Sequence, residues 1–360
     1  MKKINNWLHK EFEKLHIGFG IKQTGLFLIS CILSYFVTGN PTVSLTGALA
    51  SLLYFLMPNK DIKLKSAFKL PVLYLGVLTV AFFGSLATTN TVTSLALNMI
   101  VPFIIVCMLN DESNVLGYAY HYIIFTYVQF TEITLKIFPL YVIAAFIGML
   151  VAYVFHDFVW SSDERDVQLE AVDDKKVIVE SIKTASVKVK ESLEFDSLTS
   201  RFAVILSVAT AVSITLWSYV DLPKWYWIAK ATCFTLVPIW SQIKYRAADR
   251  LKSTAVGCAI FSACSLLAPH KYVLILATLL ALVLAISYIP KKQMSEFYVF
   301  SAFVSLSLAS FPPITVSMYK ATYVLIGVLL AAIMNWLLLP NVANKVCRND
   351  TVKNETTTVC

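Results

Sequence analysis

The sequence predicts an all-α polytopic membrane protein, with about twelve transmembrane helices in two parallel six-helix repeats. The first observation behind this is apolarity: the chain is 58% hydrophobic and 14% charged, with a mean hydropathy of +0.69. A soluble domain carries charge on about a quarter of its residues. The second is length: the apolar residues come in runs that match roughly 30 Å of hydrocarbon. The third is internal repetition. Lys22 and Arg201 each open an apolar run, 179 residues apart, and Pro58 and Pro238 each close the next run, 180 apart. Gly76 and Gly257 follow at 181, and the stretch Ile147 to Ala152 is echoed at 179 by Ile326 to Ala331. One shared register across four landmarks is the mark of a duplicated unit.

In chain order, the first half gives helices at roughly 20–39, 42–57, 68–88, 92–109, 115–131 and 134–157. The second gives roughly 200–220, 224–240, 251–268, 271–289, 295–312 and 318–339. The second and eighth are short for a full crossing and occupy equivalent places, which in transporters points to the transport site. Pro58 and Pro238 read as helix-ending residues. Charge gives direction. The side with both termini, the even loops and the central linker holds 25 Lys and Arg, against five (Lys136, Lys224, Lys230, Lys271 and Lys320) on the other. The positive-inside rule then places both termini and the linker in the cytoplasm. An even number of helices per half makes the repeat parallel.

The resulting organisation is a cytoplasmic interfacial N-terminus (1–19), a first membrane half (20–158), a cytoplasmic linker (159–198), a second membrane half (199–340) and a polar, disordered cytoplasmic tail (341–360). No cleavable signal peptide is expected, since Met1 to Lys22 is of mixed charge. In the linker, Leu169, Val172, Val179, Ile182, Val189 and Leu193 recur at helical spacing beside charges. This reads as an amphipathic helix or helical hairpin joining the halves, with a regulatory or dimerising role as the alternative. Seven cysteines form no CxxC pair and suggest neither a disulfide framework nor a metal site.

The densest local pattern is in the second half. Trp225-Tyr226-Trp227 opens an apolar run to Val237, then comes Pro238, then a basic stretch with Lys244, Arg246, Arg250 and Lys252, then Thr254 and Gly257. This resembles the signature of the fusaric acid resistance and aromatic acid exporter superfamily. That signature reads as an aromatic start, an apolar helix ended by Pro, an Arg-rich cytoplasmic loop and a Gly-Thr helix start. Of the family's Arg-x-x-Gly-Thr-x-x-Gly, Lys252 to Gly257 keeps only Thr254 and Gly257. The first half carries a weaker copy around Pro58, with Lys60, Lys63, Lys65 and Lys69. The linker is too short for the large cytoplasmic domain of full-length aromatic acid exporters, so the chain resembles the compact members. The resemblance implies inner-membrane export of small, often aromatic, organic anions, in Gram-negative members together with a periplasmic membrane-fusion protein.

An exporter of aromatic carboxylates needs a cation in a desolvated cavity and aromatic surface beside it. Lys230 is the candidate cation, and Trp225, Tyr226 and Trp227 are the candidate ring contacts. The alternative is that Lys230 snorkels to the outer surface and the aromatics form an interfacial belt. His121, among Tyr118, Tyr120 and Tyr122, is either a proton relay or a hydrogen-bonded structural residue. Lys244, Arg246, Arg250 and Lys252 read as a cytoplasmic basic mouth that gathers anions or binds anionic lipid. Asn98 reads as an interhelical hydrogen bond. No GxxxxGK[ST], HExxH, GxSxG or zinc spacing occurs, so the reading is a non-enzymatic transporter without cofactor, metal or nucleic acid. The leading expectation is a proton-driven secondary exporter in the lipid bilayer of a bacterial inner membrane, with homo-oligomerisation left open. A passive anion channel and a non-transporting membrane scaffold are the alternatives.

Overall fold

The computed structural model describes residues 15–56, 66–109, 118–159, 183–184, 186–190, 198–216, 224, 226–236, 240–267, 271–289, 294–308 and 312–338. Pro58, Pro238, Trp225, most of the linker and the tail lie outside the described residues.

The described residues are helical and contain no strand. The first half supplies α1 (Ile17–Thr38), α2 (Pro41–Leu56), α3 (Ser66–Ala87), α4 (Thr91–Leu109), α5 (Ala119–Phe130) and α6 (Phe138–Val154). The second supplies α7 (Leu198–Ala211), α8 (Tyr226–Thr235), α9 (Trp240–Leu267), α10 (Lys271–Ser287), α11 (Met294–Ser307) and α12 (Pro313–Leu338). Single π-helical turns extend α6 through Val159 and α7 through Leu216. Gly39 ends α1 in the left-handed region (φ 64°), its N–H donating to the Tyr35 carbonyl at 2.8 Å.

Among the described residues, four segments are long and apolar enough to cross a membrane: Ile17–Thr38, Leu70–Ala87, Thr91–Leu109 and Pro313–Trp336. Phe138–Val154, Thr199–Thr215 and Tyr272–Ser287 are apolar but shorter. The burial pattern agrees with a lipid surround. On α1, Gly20, Gln23, Thr24, Ser30 and Ser34 face inward together with Leu26 and Phe27, while Ile29, Ile32, Leu33 and Phe36 face out. Small and polar residues inside with large apolar residues outside is how helices pack in lipid, where apolar surface has no reason to hide. The chain is a multi-pass membrane protein.

Two helix starts differ from the sequence reading by five residues or more, and both matter for the site. The basic stretch 244–252 is not a loop: it forms the first turns of α9, which begins at Trp240 rather than near 251. Its Lys, Arg and Ala residues favour helix, and no Gly or Pro lies between Ser241 and Val256. Charge hid this helix from a search for apolar runs. Likewise α12 starts at Pro313, with proline as its first residue, so Lys320 lies about two turns into the helix rather than at its mouth.

The helix contacts come in equivalent pairs. Helix α2 packs on α6 and α8 on α12, α3 packs on α5 and α9 on α11, and the halves meet where α4 packs on α7 and α10 on α1. The glycines at these crossings correspond residue by residue. A Cβ on Gly148 would meet the Gly47 carbonyl at 2.7 Å and the Ser51 nitrogen at 3.5 Å. One on Gly327 would meet the Ile228 carbonyl at 2.6 Å and the Thr232 nitrogen at 3.0 Å. Gly47 and Ser51 each precede these partners by 181 residues. In the same way Gly76 faces His121 of α5, and Gly257 faces Val299 and Ala302 of α11. Small residues let these helices approach closely, as is common in membrane bundles.

Two main buried clusters, with a small third one of Ala231, Val324 and Val328, form the interior among the described residues. The larger joins α2–α6 to α7 through Tyr54, Tyr122, Phe125, Tyr141, Met149, Phe202 and Leu206. The smaller lies in the second half around Trp227, Phe261, Phe303, Leu306 and Tyr323. As expected from its sequence setting, Asn98 makes an interhelical bond: Asn98 and Gln129 exchange two hydrogen bonds of 3.0 Å between α4 and α5.

Candidate functional site

Helix α8 has ten residues, about 15 Å of length, which is half the hydrocarbon thickness. It opens from a tight turn in which Lys224 takes a positive φ of 61° and its carbonyl accepts from the Trp227 N–H at 3.0 Å. Trp227 is then carried inward and is 2% exposed. Lys230 follows on the next turn and is half-buried.

Two further cations close on this turn from neighbouring helices. Lys320 of α12 is only 7% exposed, and its Nζ sits over the Trp227 ring, 4.3 Å from the centroid. Arg250 of α9 is 8% exposed, with its guanidinium 4.8 Å from the centroid of the Tyr298 ring of α11. A cation over an aromatic face recovers part of the hydration it has lost. The three cations act on one another electrostatically, and no carboxylate among the described residues acts on any of them. Nη1 of Arg250 is buried without a hydrogen-bond partner among the described residues.

The close helix crossings position these charges. Gly257 lies two turns beyond Arg250 and Gly327 two turns beyond Lys320, a spacing of seven residues in each case, which returns to the same helix face. The contacts that seat α9 on α11 and α12 on α8 therefore also set the two cations. Aromatic and hydroxyl groups complete the surroundings. Tyr323 is 6.5 Å from Trp227 and stacks on Tyr319 at 5.8 Å, with 7° between the rings. The hydroxyls of Ser262 (α9) and Ser317 (α12) are 2.9 Å apart. On the side towards the first half, the Tyr122 hydroxyl is 2.9 Å from that of Thr210, which lies 3.7 Å from the Cys233 sulfur of α8.

The structure thus brings Lys230 and Trp227 together but separates other residues expected beside them. Tyr226 stacks on Phe130 of α5 at 5.5 Å and so contacts the first half. The four basic residues do not form one mouth: Lys244 and Lys252 are exposed and Arg246 half-buried, whereas Arg250 points into the bundle. On a helix, residues at this spacing fall on different faces. His121 lines a separate small cavity with Tyr54, Leu73, Val77, Tyr120, Ile124 and Met149, and its Nδ1 has no hydrogen-bond partner among the described residues. Sequence reasoning missed Lys320 and Tyr298. A helix start near 318 leaves Lys320 at the outer surface, and the signal that places it deeper is Pro313 as the helix start. Among the described residues no group of His, Cys, Asp and Glu gathers to hold a metal.

Residues 207–334 match the family described as fusaric acid resistance protein-like. The match takes in α8 to α11 and most of α12, and hence every cation of the cluster. It agrees with the resemblance carried by residues 225–257. Comparison with curated proteins gives no match. Comparison with solved structures gives none either.

Proposed function

We propose, from a second half with fusaric acid resistance protein-like sequence, that this membrane protein is a secondary exporter of small organic, chiefly aromatic, anions. The family match supports a transport or resistance role at the coarse level. The observation that carries the finer reading is the cluster of Lys230, Arg250 and Lys320, inside a membrane bundle and without a carboxylate among the described residues. A cation in hydrocarbon is costly and is retained where it faces a partner or a pathway. With no acidic side chain among the described residues supplying that partner, an anion that enters the bundle does. Trp227, Tyr319 and Tyr323 offer it ring surface.

In this account two parallel six-helix repeats sit in the inner membrane around the pathway, with both termini cytoplasmic and the short α8 reaching only part-way across. The equivalent contacts of α2 with α6 and α8 with α12 support that arrangement. The proton gradient drives export, with His121 as relay: it is the intramembrane histidine whose Nδ1 faces no partner among the described residues. In a Gram-negative cell a periplasmic membrane-fusion protein carries the anion onward.

The test is flux from proteoliposomes loaded in turn with benzoate, phthalate and succinate, with and without an inside-acid or inside-alkaline gradient. Saturable flux of at least one of these above protein-free vesicles, accelerated by the gradient, is expected. No protein-dependent flux of any of the three would contradict anion export, and flux indifferent to the gradient would contradict proton drive.

A further inference from the structure

The charge of the cluster bears on the charge of its occupant. Lys230, Arg250 and Lys320 come from three different helices, α8, α9 and α12, and each pair is close enough to interact electrostatically. The groups that act on them, apart from one another, are tyrosine and cysteine side chains, with no carboxylate among the described residues. A monoanion in their midst would neutralise one cation and leave two facing each other in a medium of low polarity, where like charges repel strongly. A dianion leaves one.

Geometry points the same way. Arg250 and Lys320 are each seated on an aromatic face of their own, Tyr298 and Trp227 respectively. These are two separate cationic posts on helices α9 and α12, with Lys230 on the turn of α8 beside Trp227. The buried Nη1 of Arg250, without a partner among the described residues, suits a carboxylate oxygen, which accepts a charge-assisted hydrogen bond from guanidinium. Lys320 offers a point charge that needs no fixed approach.

We propose that the second-half site selects a small dicarboxylate over the matched monocarboxylate, one carboxylate lying on Arg250 and the other on Lys320, with Lys230 between them. This rests on the anion-export reading above and adds the charge of the substrate.

The experiment compares flux of phthalate with benzoate, and of succinate with butyrate, in the same proteoliposomes at the same concentration. The dicarboxylate of each pair is expected to move about tenfold faster or more, the effect of one added charge-assisted hydrogen bond. Arg250→Gln and Lys320→Gln should each lower dicarboxylate flux and bring the ratio towards one. Arg250→Lys and Lys320→Arg, which keep the charge, should retain a preference for the dicarboxylate and serve where a glutamine variant does not fold. Lys136→Gln, at an exposed position outside the cluster, should leave the ratio unchanged. Monocarboxylates moving as fast as their dicarboxylate partners would overturn the dianion proposal while leaving anion export standing. A preference that survives both glutamine substitutions would overturn the assignment to these residues. No protein-dependent flux of any of the four would overturn export itself.

Discussion

Gly327→Ala tests the helix crossing that sets Lys320 against Trp227. The added methyl would lie 2.5 Å from the Ala231 Cβ, 2.6 Å from the Ile228 carbonyl oxygen and 3.0 Å from the Thr232 nitrogen. Ordinary contact between carbon atoms is about 3.5–4.0 Å, so α8 and α12 must separate by roughly 1 Å. Two of the three atoms are backbone and cannot rotate aside. Overpacking of this kind costs about 1–3 kcal/mol, and rigid neighbours put this site towards the upper end. Alanine returns up to about 1 kcal/mol through its better helix propensity. The net loss is about 2 kcal/mol, roughly 30-fold in the ratio of folded to unfolded protein. Gly25→Ala is the control, because a Cβ there meets nothing within 4 Å, and it should be neutral or slightly stabilising. The assay is unfolding of the two purified variants in the same detergent, followed by the monodisperse fraction on size-exclusion chromatography. Equal stability of Gly327→Ala and Gly25→Ala would refute the close approach of α8 and α12.

Other consequences are open to test. Removing one amide of the reciprocal pair, Asn98→Leu or Gln129→Leu, should destabilise the protein, and the double variant should recover part of the loss; a double-mutant cycle is expected to give a coupling of about 1 kcal/mol. In a background without native cysteines, Ser94→Cys with Thr215→Cys should cross-link under mild oxidation. Their hydroxyls are 3.5 Å apart between α4 and α7. Failure to cross-link would count against that contact between the halves. His121→Gln should abolish the acceleration of anion flux by an imposed pH gradient while gradient-free exchange persists, and a variant that keeps the full acceleration would remove His121 from the proton path.

Much of the helical layout was legible because the membrane imposes long apolar runs, and the duplication repeats them at a constant offset. The equivalence of Gly148 and Gly327 was visible in the Ile-Gly pairs at 147 and 326 before their helix partners were known. The position of Arg250 was not. A basic run after an apolar helix reads as a solvated loop, and only helical continuity from Trp240 turns one residue of that run inward while its neighbours stay outside. Lys320 is hidden for a related reason: its depth depends on where α12 starts, and that start is Pro313 rather than a residue near 318. The inequality of the halves was legible in the Trp-rich start and in Lys230, and the structure deepens it. At the offset of 179, Tyr141 of α6 stands where α12 has Lys320, and at 181 Leu49 of α2 stands where α8 has Lys230.

The proposed anion site turns on Lys320, seated over Trp227. Its most direct test is equilibrium binding of radiolabelled phthalate to the purified protein, with Lys320→Gln measured alongside at equal salt and matched folding. Saturable binding that the substitution weakens by about tenfold or more is expected. Binding of equal strength in both proteins, or none in the unsubstituted one, would contradict the account.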